Sequence, residues 1–339
     1  MATIDWQNLG FGYRQTEYRF VARFENGQWT DGELIEDNQI TMHEGSPILH
    51  YAQGCFEGLK AQRSPDGTIL LFRPQENATR MMSSATRLLM PEVPTDLFMK
   101  GLEEVVRANE KWVPPHGSGA SLYIRPMLIG MGENIGIKPA PIYEFRIFVL
   151  PVGPYFSGDG MPSIKLAVTD YDRVPKNGIG HIKAVGNYAG GMIVTKEARE
   201  KGADEALYLD PIAHKYIEET NSSNVLFVTK EGSIVFPDSS CVLPSITADS
   251  LLYLAEKVLK KTVNKRQGSY EELSDFSEMG ACGTAVTLAQ VEKVLVNKEW
   301  ISFNQDPNTA IIPQLYTHLM AIQQGVSEDM FGWTKRVPI

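Results

Sequence analysis

Between Asp172 and Glu197 the chain carries no acidic residue, and a lysine lies in the middle of that run: Gly178-Ile-Gly-His-Ile-Lys183-Ala-Val-Gly-Asn-Tyr188-Ala-Gly-Gly191. Ordinary surface lysines sit among other charges. Lys183 has His181 nearby and otherwise small, apolar and amide neighbours. Glycines permit close backbone approach, so this segment suits a lysine whose amine is partly desolvated. Desolvation favours the neutral amine, because the ammonium loses hydration. A neutral amine can attack a carbonyl and form a Schiff base. The same residues also suit a lysine that snorkels out of a glycine-rich loop.

The length of 339 residues predicts two domains of roughly 150 residues each. With 43% hydrophobic and 22% charged residues the chain can bury a sizeable core and is globular. A net charge of −9 argues against nucleic acid and anionic membrane surfaces as partners. The 3 cysteines, Cys55, Cys241 and Cys282, are far apart and form no CxxC, so neither a disulfide framework nor a cysteine-rich zinc site is indicated. The 6 histidines show no HExxH or clustered spacing, so no metal site is expected. Gly178-x-Gly180-x-x-Lys183 lacks the third glycine of a dinucleotide fingerprint, and no GxxxxGK[ST] occurs. The start, Met1-Ala-Thr-Ile-Asp-Trp6, lacks the charged and apolar regions of a signal peptide, and no apolar run reaches membrane-span length. The expectation is a cytoplasmic protein.

The pattern along the chain is α+β. Strands are expected at 18–24, 68–73, 121–126 and 143–152, with Asn26-Gly27 as a hairpin turn. A helix over 75–90 has Ala78, Met82, Ala85 and Leu89 on one face; another over 95–112 has Phe98, Leu102, Val105 and Trp112. Gly153-Pro-Tyr-Phe-Ser-Gly-Asp-Gly160 reads as a linker, giving domains at 1–152 and 161–339. The second part holds short strands near 164–169, 205–210, 216–219, 225–228, 234–236 and 292–296, and helices over 189–201, 246–261 and 313–324. Short strands with tight turns predict a mixed or barrel-like sheet rather than repeated βαβ units.

Pyridoxal phosphate (PLP) is one partner for such a lysine. It needs a carboxylate for its ring nitrogen, an anion site for its phosphate and a substrate pocket. Glu219 precedes the polar turn Thr220-Asn-Ser-Ser-Asn224, although beside Glu218 it also fits a solvent-facing position. Leu243-Pro-Ser-Ile-Thr247 leads into a helix, which aims the amides of Ile246 and Thr247 at an anion. Gly280-Ala-Cys-Gly-Thr284-Ala285 offers a second nest of hydroxyl and amide groups. Ordinary capping is the other use of these threonines. Arg80 is one arginine among many that could complete a clamp.

Taken together, the chain resembles a branched-chain amino acid aminotransferase of the fold-type IV PLP class, from about Phe11 to Trp333. The resemblance is carried by Tyr51-x-x-x-x-Phe56-Glu-Gly-Leu-Lys60, Leu71-Phe-Arg-Pro74, Ser121-Leu-Tyr-Ile-Arg-Pro126, Lys183-x-x-Gly-Asn-Tyr188, Glu219-x-x-x-x-Asn224 and Gly283-Thr-Ala285. It implies an α/β (α+β) two-domain fold like that of D-amino acid aminotransferase, with a smaller N-terminal domain and a larger pseudo-barrel domain. It implies PLP as cofactor and amino-group exchange between leucine, isoleucine or valine and 2-oxoglutarate. Lys183 would bond the cofactor and move the substrate proton, Glu219 would pair with the ring nitrogen and Tyr188 with the ring's phenolate oxygen. Arg80, Ile246, Thr247 and Thr284 would hold the phosphate.

The resemblance also assigns a substrate pocket. Phe11, Tyr51, Tyr155 and Tyr188 match aromatic wall positions, though Phe11 also suits core packing. Tyr123 and Arg125 match carboxylate-recognition positions, and residues two apart on a strand share a face. Ser222 and the amide of Ala285 match positions that hold the α-carboxylate. Ile135 and Ile137 match a loop that crosses from a partner subunit, which implies a homodimer. The chain departs from the family in two places. Leu243-Pro-Ser245 replaces a common Leu-Pro-Gly, and Val286-Thr-Leu-Ala289 stands where mammalian members carry CxxC, so their redox switch is absent. The nearest rival activities are those of D-amino acid aminotransferase and aminodeoxychorismate lyase, which lack the Tyr51…Phe56-Glu-Gly and Tyr123-x-Arg125 blocks.

Overall fold

The computed structural model describes residues 4–156 and 160–339. Residues 157–159 of the expected linker lie outside the described residues. The chain divides into two compact units: Met1–Tyr155 with Ile182–Gly186 and Ala321–Ile339, and Phe156–His181 with Asn187–Met320.

The spine of the first unit is an antiparallel pair, Ser121–Met131 against Ile142–Val152, in register from Ser121↔Val152 to Met131↔Ile142. Alternation sends Leu122, Ile124, Leu128, Phe145, Ile147 and Val149 into the core, against Phe98, Leu102 and Val105 of the helix Thr95–Ala108. The opposite face carries Tyr123, Arg125, Phe148 and Leu150. The sequence pattern ends the first of these strands at Pro126, since proline cannot donate to a ladder. The structure runs it on to Met131, because its neighbour is interrupted there. Gly54–Phe56 and Leu59–Arg63 both pair with it, and the break between them, Glu57-Gly58, lies beside Pro126. The Glu57 N–H donates to the Pro126 carbonyl at 2.8 Å.

The helix Pro74–Arg87 starts on its proline and buries Ala78, Met81 and Ala85. Leu89, expected on that face, is 72% exposed with a left-handed φ of 53°, beyond the helix end. Met81 rather than Met82 is the fully buried methionine. Two distant segments join this unit for local reasons. Ala184 forms a bridge with Cys55, and Thr334–Arg336 adds an antiparallel edge strand to Ile69–Phe72.

In the second unit the strands follow the order Ile217–Thr220, Glu205–Leu209, Ser163–Val168, Thr287–Val296, Phe276–Gly283, Asn224–Thr229, Ile234–Phe236 and Val263–Lys265. Ile217–Thr220 also pairs with Asn224–Thr229, so the sheet closes on itself. Ser163–Val168 pairs in parallel with both its neighbours, and the other ring pairings are antiparallel, which gives the mixed barrel-like sheet expected. The strand Phe276–Gly283 is an addition to those the sequence pattern marks. Met279, Ala281 and Cys282 are all fully buried, and a strand covered on both faces shows no alternation to read. The following strand accordingly begins at Thr287, not Glu292. The helix Ile246–Lys257 ends short of the expected residue 261, with Val258 and Leu259 only partly buried. Among the described residues no helix is long and apolar enough to cross a membrane.

Gly58 yields a test of the spine. A Cβ there would lie 2.4 Å from the Tyr123 hydroxyl oxygen, with the ring carbon behind it at 3.2 Å. Gly58→Ala should destabilise by about 1–3 kcal/mol through overpacking. Adding Tyr123→Phe should restore most of that loss in urea unfolding. A double variant as unstable as G58A would show that another contact forbids the side chain.

Candidate active site

In the first unit Lys183 is pinned through its backbone. Its N–H donates to Ser84 Oγ at 3.1 Å and its carbonyl accepts from the Phe56 N–H at 3.1 Å. Flanking Ile182 and Ala184 are buried, while Lys183 itself is partly buried. Its Nζ stands 5.0 Å from the centroid of the Phe56 ring. An ammonium over an aromatic face is attracted by the ring's electrons.

Arg125 shares that ring. Its guanidinium lies 4.7 Å from the Phe56 centroid and 5.3 Å from the Tyr123 centroid, and it donates to the Tyr123 hydroxyl at 3.1 Å. Arg125 Nε is buried with no hydrogen-bond partner. A buried guanidinium N–H without an acceptor costs free energy that an incoming carboxylate would relieve. Phe11 packs edge-on against Tyr123 at 5.2 Å and against Tyr155 at 5.1 Å, so three expected pocket residues form one aromatic cluster. Tyr51 belongs to a different grouping. It is half-exposed and its hydroxyl donates to the Ile135 carbonyl, and Ile135 and Ile137 project into solvent.

Two residues of the Phe-Glu-Gly-Leu-Lys block emerge without having been singled out. Glu57 is fully buried and takes Arg80 as a bidentate partner: Nε donates to Oε1 at 2.7 Å and Nη2 to Oε2 at 2.8 Å. Asn77 Nδ2 donates to Oε2 at 2.7 Å. Burial raises the Glu57 carboxyl, but Arg80, Lys183 and Asn77 together outweigh it and hold the group below its ordinary value. The available signal is a carboxylate inside a small apolar run. Lys60 stands opposite Tyr123 in the strand register, and directly opposed residues share a face. Burial pushes its amine down to about 8, although the residue as a whole is partly exposed.

In the second unit Glu219 is the penultimate residue of the strand Ile217–Thr220, next to the hairpin turn, and is buried, as is Glu218, so neither faces solvent. Glu219 Oε1 pairs with Arg173 Nη2 at 2.7 Å and accepts the Leu243 N–H at 3.1 Å; Oε2 accepts Asn224 Nδ2 at 3.1 Å. Arg173 also donates to the carbonyls of Gly180 and Cys241, which closes the start of the lysine loop. Gly180 is required there, since a Cβ would lie 2.2 Å from the Cys241 carbonyl oxygen. Ser245 caps the helix Ile246–Lys257 by accepting the Ala248 N–H at 3.1 Å, as anticipated for serine at that position. Ile246 and Thr247 open that helix, where backbone amides favour an anion. Thr284 and Ala285 lie in the turn between Phe276–Gly283 and Thr287–Val296, partly buried. Tyr188 follows the short helix Val185–Asn187, and its carbonyl accepts the Gly191 N–H at 3.1 Å. The Ser222 hydroxyl turns inward and donates to buried Glu205 at 2.7 Å. Burial raises the Glu205 carboxyl, and the Ser222 and Thr220 hydroxyls oppose that.

This donor set fits PLP. In the first unit an amine over an aromatic ring and an arginine whose Nε lacks an acceptor, and in the second a buried carboxylate fixed by three donors and a helix start, are the kinds of group that its aldehyde, carboxylate-bearing substrates, ring nitrogen and phosphate require. Among the described residues no cluster of potential metal ligands occurs.

Comparison with known proteins agrees. The sequence model of the amino-transferase class IV family matches residues 54–294. A branched-chain-amino-acid aminotransferase from Helicobacter pylori is 45% identical over 98% of this chain and 98% of its own. The crystal structure of the Escherichia coli branched-chain amino acid aminotransferase aligns with a TM-score of 0.79 and 26% identity, covering 95% of this chain and 99% of that one. The branched-chain amino acid aminotransferase from Thermobaculum terrenum, solved in its PLP form, shares the fold with a TM-score of 0.77 at 23% identity over 95% of this chain and 99% of its own.

Lys60 gives a pH test of this site's electrostatics. Its folded amine titrates near 8 against an ordinary value of 10.5. Between those values the unfolded chain binds the extra proton, so stability rises with pH across that window. Urea midpoints should show this rise from pH 8 to 10.5, and Lys60→Met should flatten it. An identical slope in the variant would put the amine in water.

Proposed function

Since the chain belongs to the amino-transferase class IV family and, within it, to the branched-chain-amino-acid aminotransferases, we propose that Lys183 bonds the cofactor and moves the substrate proton. The activity is reversible exchange of an amino group between leucine, isoleucine or valine and 2-oxoglutarate, with pyridoxal 5′-phosphate as cofactor. Bound PLP supplies an aldehyde carbon for the substrate amine and a ring that accepts electrons when the Cα–H bond breaks. The protein supplies the rest. Lys183 would hold the cofactor through its amine and would move the substrate proton. Glu219, held by Arg173, Asn224 and the Leu243 amide, keeps a negative charge for the ring nitrogen. Tyr188 donates to the ring's phenolate oxygen. Arg80, Ile246, Thr247 and Thr284 bind the phosphate.

The observation that carries the substrate reading is Arg125, stacked on Phe56 and Tyr123 with its Nε buried and lacking an acceptor. Guanidinium is weakly hydrated and tolerates an apolar neighbour, yet it grips a carboxylate strongly. The same pocket then takes the branched side chain in one half-reaction and glutamate's distal carboxylate in the other. Phe11 and Tyr155, which pack with Tyr123, complete its wall. At Ser222 the hydroxyl is committed to Glu205, so we assign the α-carboxylate contact of that turn to backbone amides, with that of Ala285.

The assembly is a homodimer in this reading, supported by the exposed apolar pair Ile135 and Ile137 beside Tyr51. The division into an N-terminal and a cofactor domain is drawn at 153–160 in this reading, with Ile182–Gly186 and Ala321–Ile339 counted with the N-terminal unit. A cytoplasmic location is supported by Cys55, Cys241 and Cys282, all buried free thiols.

The decisive test is the visible spectrum of the purified protein. The PLP band should fade with L-leucine and return with 2-oxoglutarate, and Lys183→Ala should abolish the turnover while the fold survives. A band unmoved by leucine would shift the activity to another amino donor. Arg125→Leu should lower kcat/KM for glutamate by about tenfold to a hundredfold and affect leucine much less. Equal losses would remove Arg125 from the distal carboxylate.

A further inference from the structure

The geometry points to Glu57 as the positioning residue that orients Arg80 toward an anionic group, the cofactor phosphate. The inference rests on Arg80 being a phosphate ligand, as proposed above, and adds what aims it.

Glu57 occupies the break between Gly54–Phe56 and Leu59–Arg63, where its backbone is fixed by the Pro126 carbonyl at 2.8 Å. Its side chain has no solvent exposure, and both carboxylate oxygens are used. Oε1 takes Arg80 Nε, and Oε2 takes Arg80 Nη2 and Asn77 Nδ2. A bidentate contact through Nε and Nη2 fixes the guanidinium plane. It leaves the Nη1 side as the edge directed away from Glu57. Arginine has many rotamers, and a long side chain loses affinity for a ligand by the entropy of settling into one. Glu57 removes that freedom before any ligand arrives.

A purely structural ion pair is the rival explanation. Buried ion pairs add little stability over well-packed apolar residues, so stability alone gives weak reason for an ionised glutamate here. The two explanations, and simple electrostatics, predict different signs. By Coulomb's law alone, the Glu57 charge repels phosphate, so neutralising it should tighten PLP binding. If Glu57 acts by aiming Arg80, neutralising it should weaken PLP binding despite the gain in positive potential. Pyridoxal, which has the same aldehyde and ring but no phosphate, should be indifferent.

The test uses the full-length apoenzyme and measures dissociation constants for PLP and for pyridoxal. Glu57→Gln should weaken PLP by about tenfold, the loss of roughly one charge-assisted hydrogen bond, with pyridoxal changed by less than about twofold on the same scale. Glu57→Asp keeps the charge but draws the carboxylate back by one methylene, and should show the same selective loss. It carries the comparison should E57Q fail to fold. Arg80→Ala is the control for the underlying reading and should abolish the preference for PLP over pyridoxal. If R80A leaves that preference intact, Arg80 is not the phosphate ligand. If R80A abolishes it while E57Q and E57D retain it, or weaken both ligands equally, Glu57 is structural and the inference fails.

Discussion

An ionised carboxylate loses several kcal/mol of hydration when buried, and only close cationic and hydrogen-bonding partners offset that loss. Each compact unit of this protein solves the problem at the heart of its site. In the first, Glu57 is answered by Arg80 and Asn77; in the second, Glu219 is answered by Arg173, Asn224 and a backbone amide. In both cases the arginine ties together pieces of chain that are distant in sequence. Arg80 fastens the helix Pro74–Arg87 to the break in the neighbouring sheet. Arg173 fastens the strand end at Glu219 to the carbonyls of Gly180 and Cys241. The charges that would be costliest to bury therefore also fix the backbone around the reacting groups.

The break at Glu57-Gly58 shows how local chemistry serves this arrangement. Proline at 126 supplies no donor, so the adjoining strand keeps only the bond from the Glu57 N–H to the Pro126 carbonyl, breaks there and turns its glutamate inward. Glycine at 58 gives the Tyr123 hydroxyl room on the opposite face. Phe56, just before the break, presents its ring to both Lys183 and Arg125. One irregularity in a sheet thus sets a buried carboxylate, an aromatic platform and a tyrosine hydroxyl within a few residues. A regular strand would alternate these side chains between faces at fixed spacing.

Much of this architecture is legible in the sequence. The helices fall within a few residues of their expected ends, because their apolar positions recur at helical spacing. Alternation and turn residues mark most strands, including the hairpin at Asn26-Gly27, where both residues adopt positive φ. The failures have physical causes. Phe276–Gly283 is covered on both faces and so carries no alternation, and its glycines resemble those of a loop. Leu89 has a helical spacing from Ala85 but lies past a helix end that only tertiary contacts decide. Among site residues, the blocks around Lys183, Glu219 and Tyr123-x-Arg125 stand out because their residue types are unusual for their surroundings. Glu57 carries only the weak signal of a carboxylate in a small apolar run and Arg173 none, since an ion pair that forms across a fold leaves no mark in the spacing of either partner.

Ser222 carries the same argument one step further. The resemblance assigns Ser222 to the α-carboxylate of a ligand, without saying which of its atoms makes the contact. In the fold its hydroxyl donates to Glu205, whose second carboxylate oxygen is buried with no hydrogen-bond partner. Removing the serine hydroxyl would leave more of a buried acid unsatisfied, a larger penalty than the hydrogen bond itself is worth. The hydroxyl is therefore a support for the turn Thr220–Ser223, and the turn's backbone is what it offers to chemistry. A glycine at this position could present the same backbone, but it would cost Glu205 the bond from the Ser222 hydroxyl. The residue type at a site and the atom that does the work are separate questions, and only the hydrogen-bond partners of the folded chain answer the second.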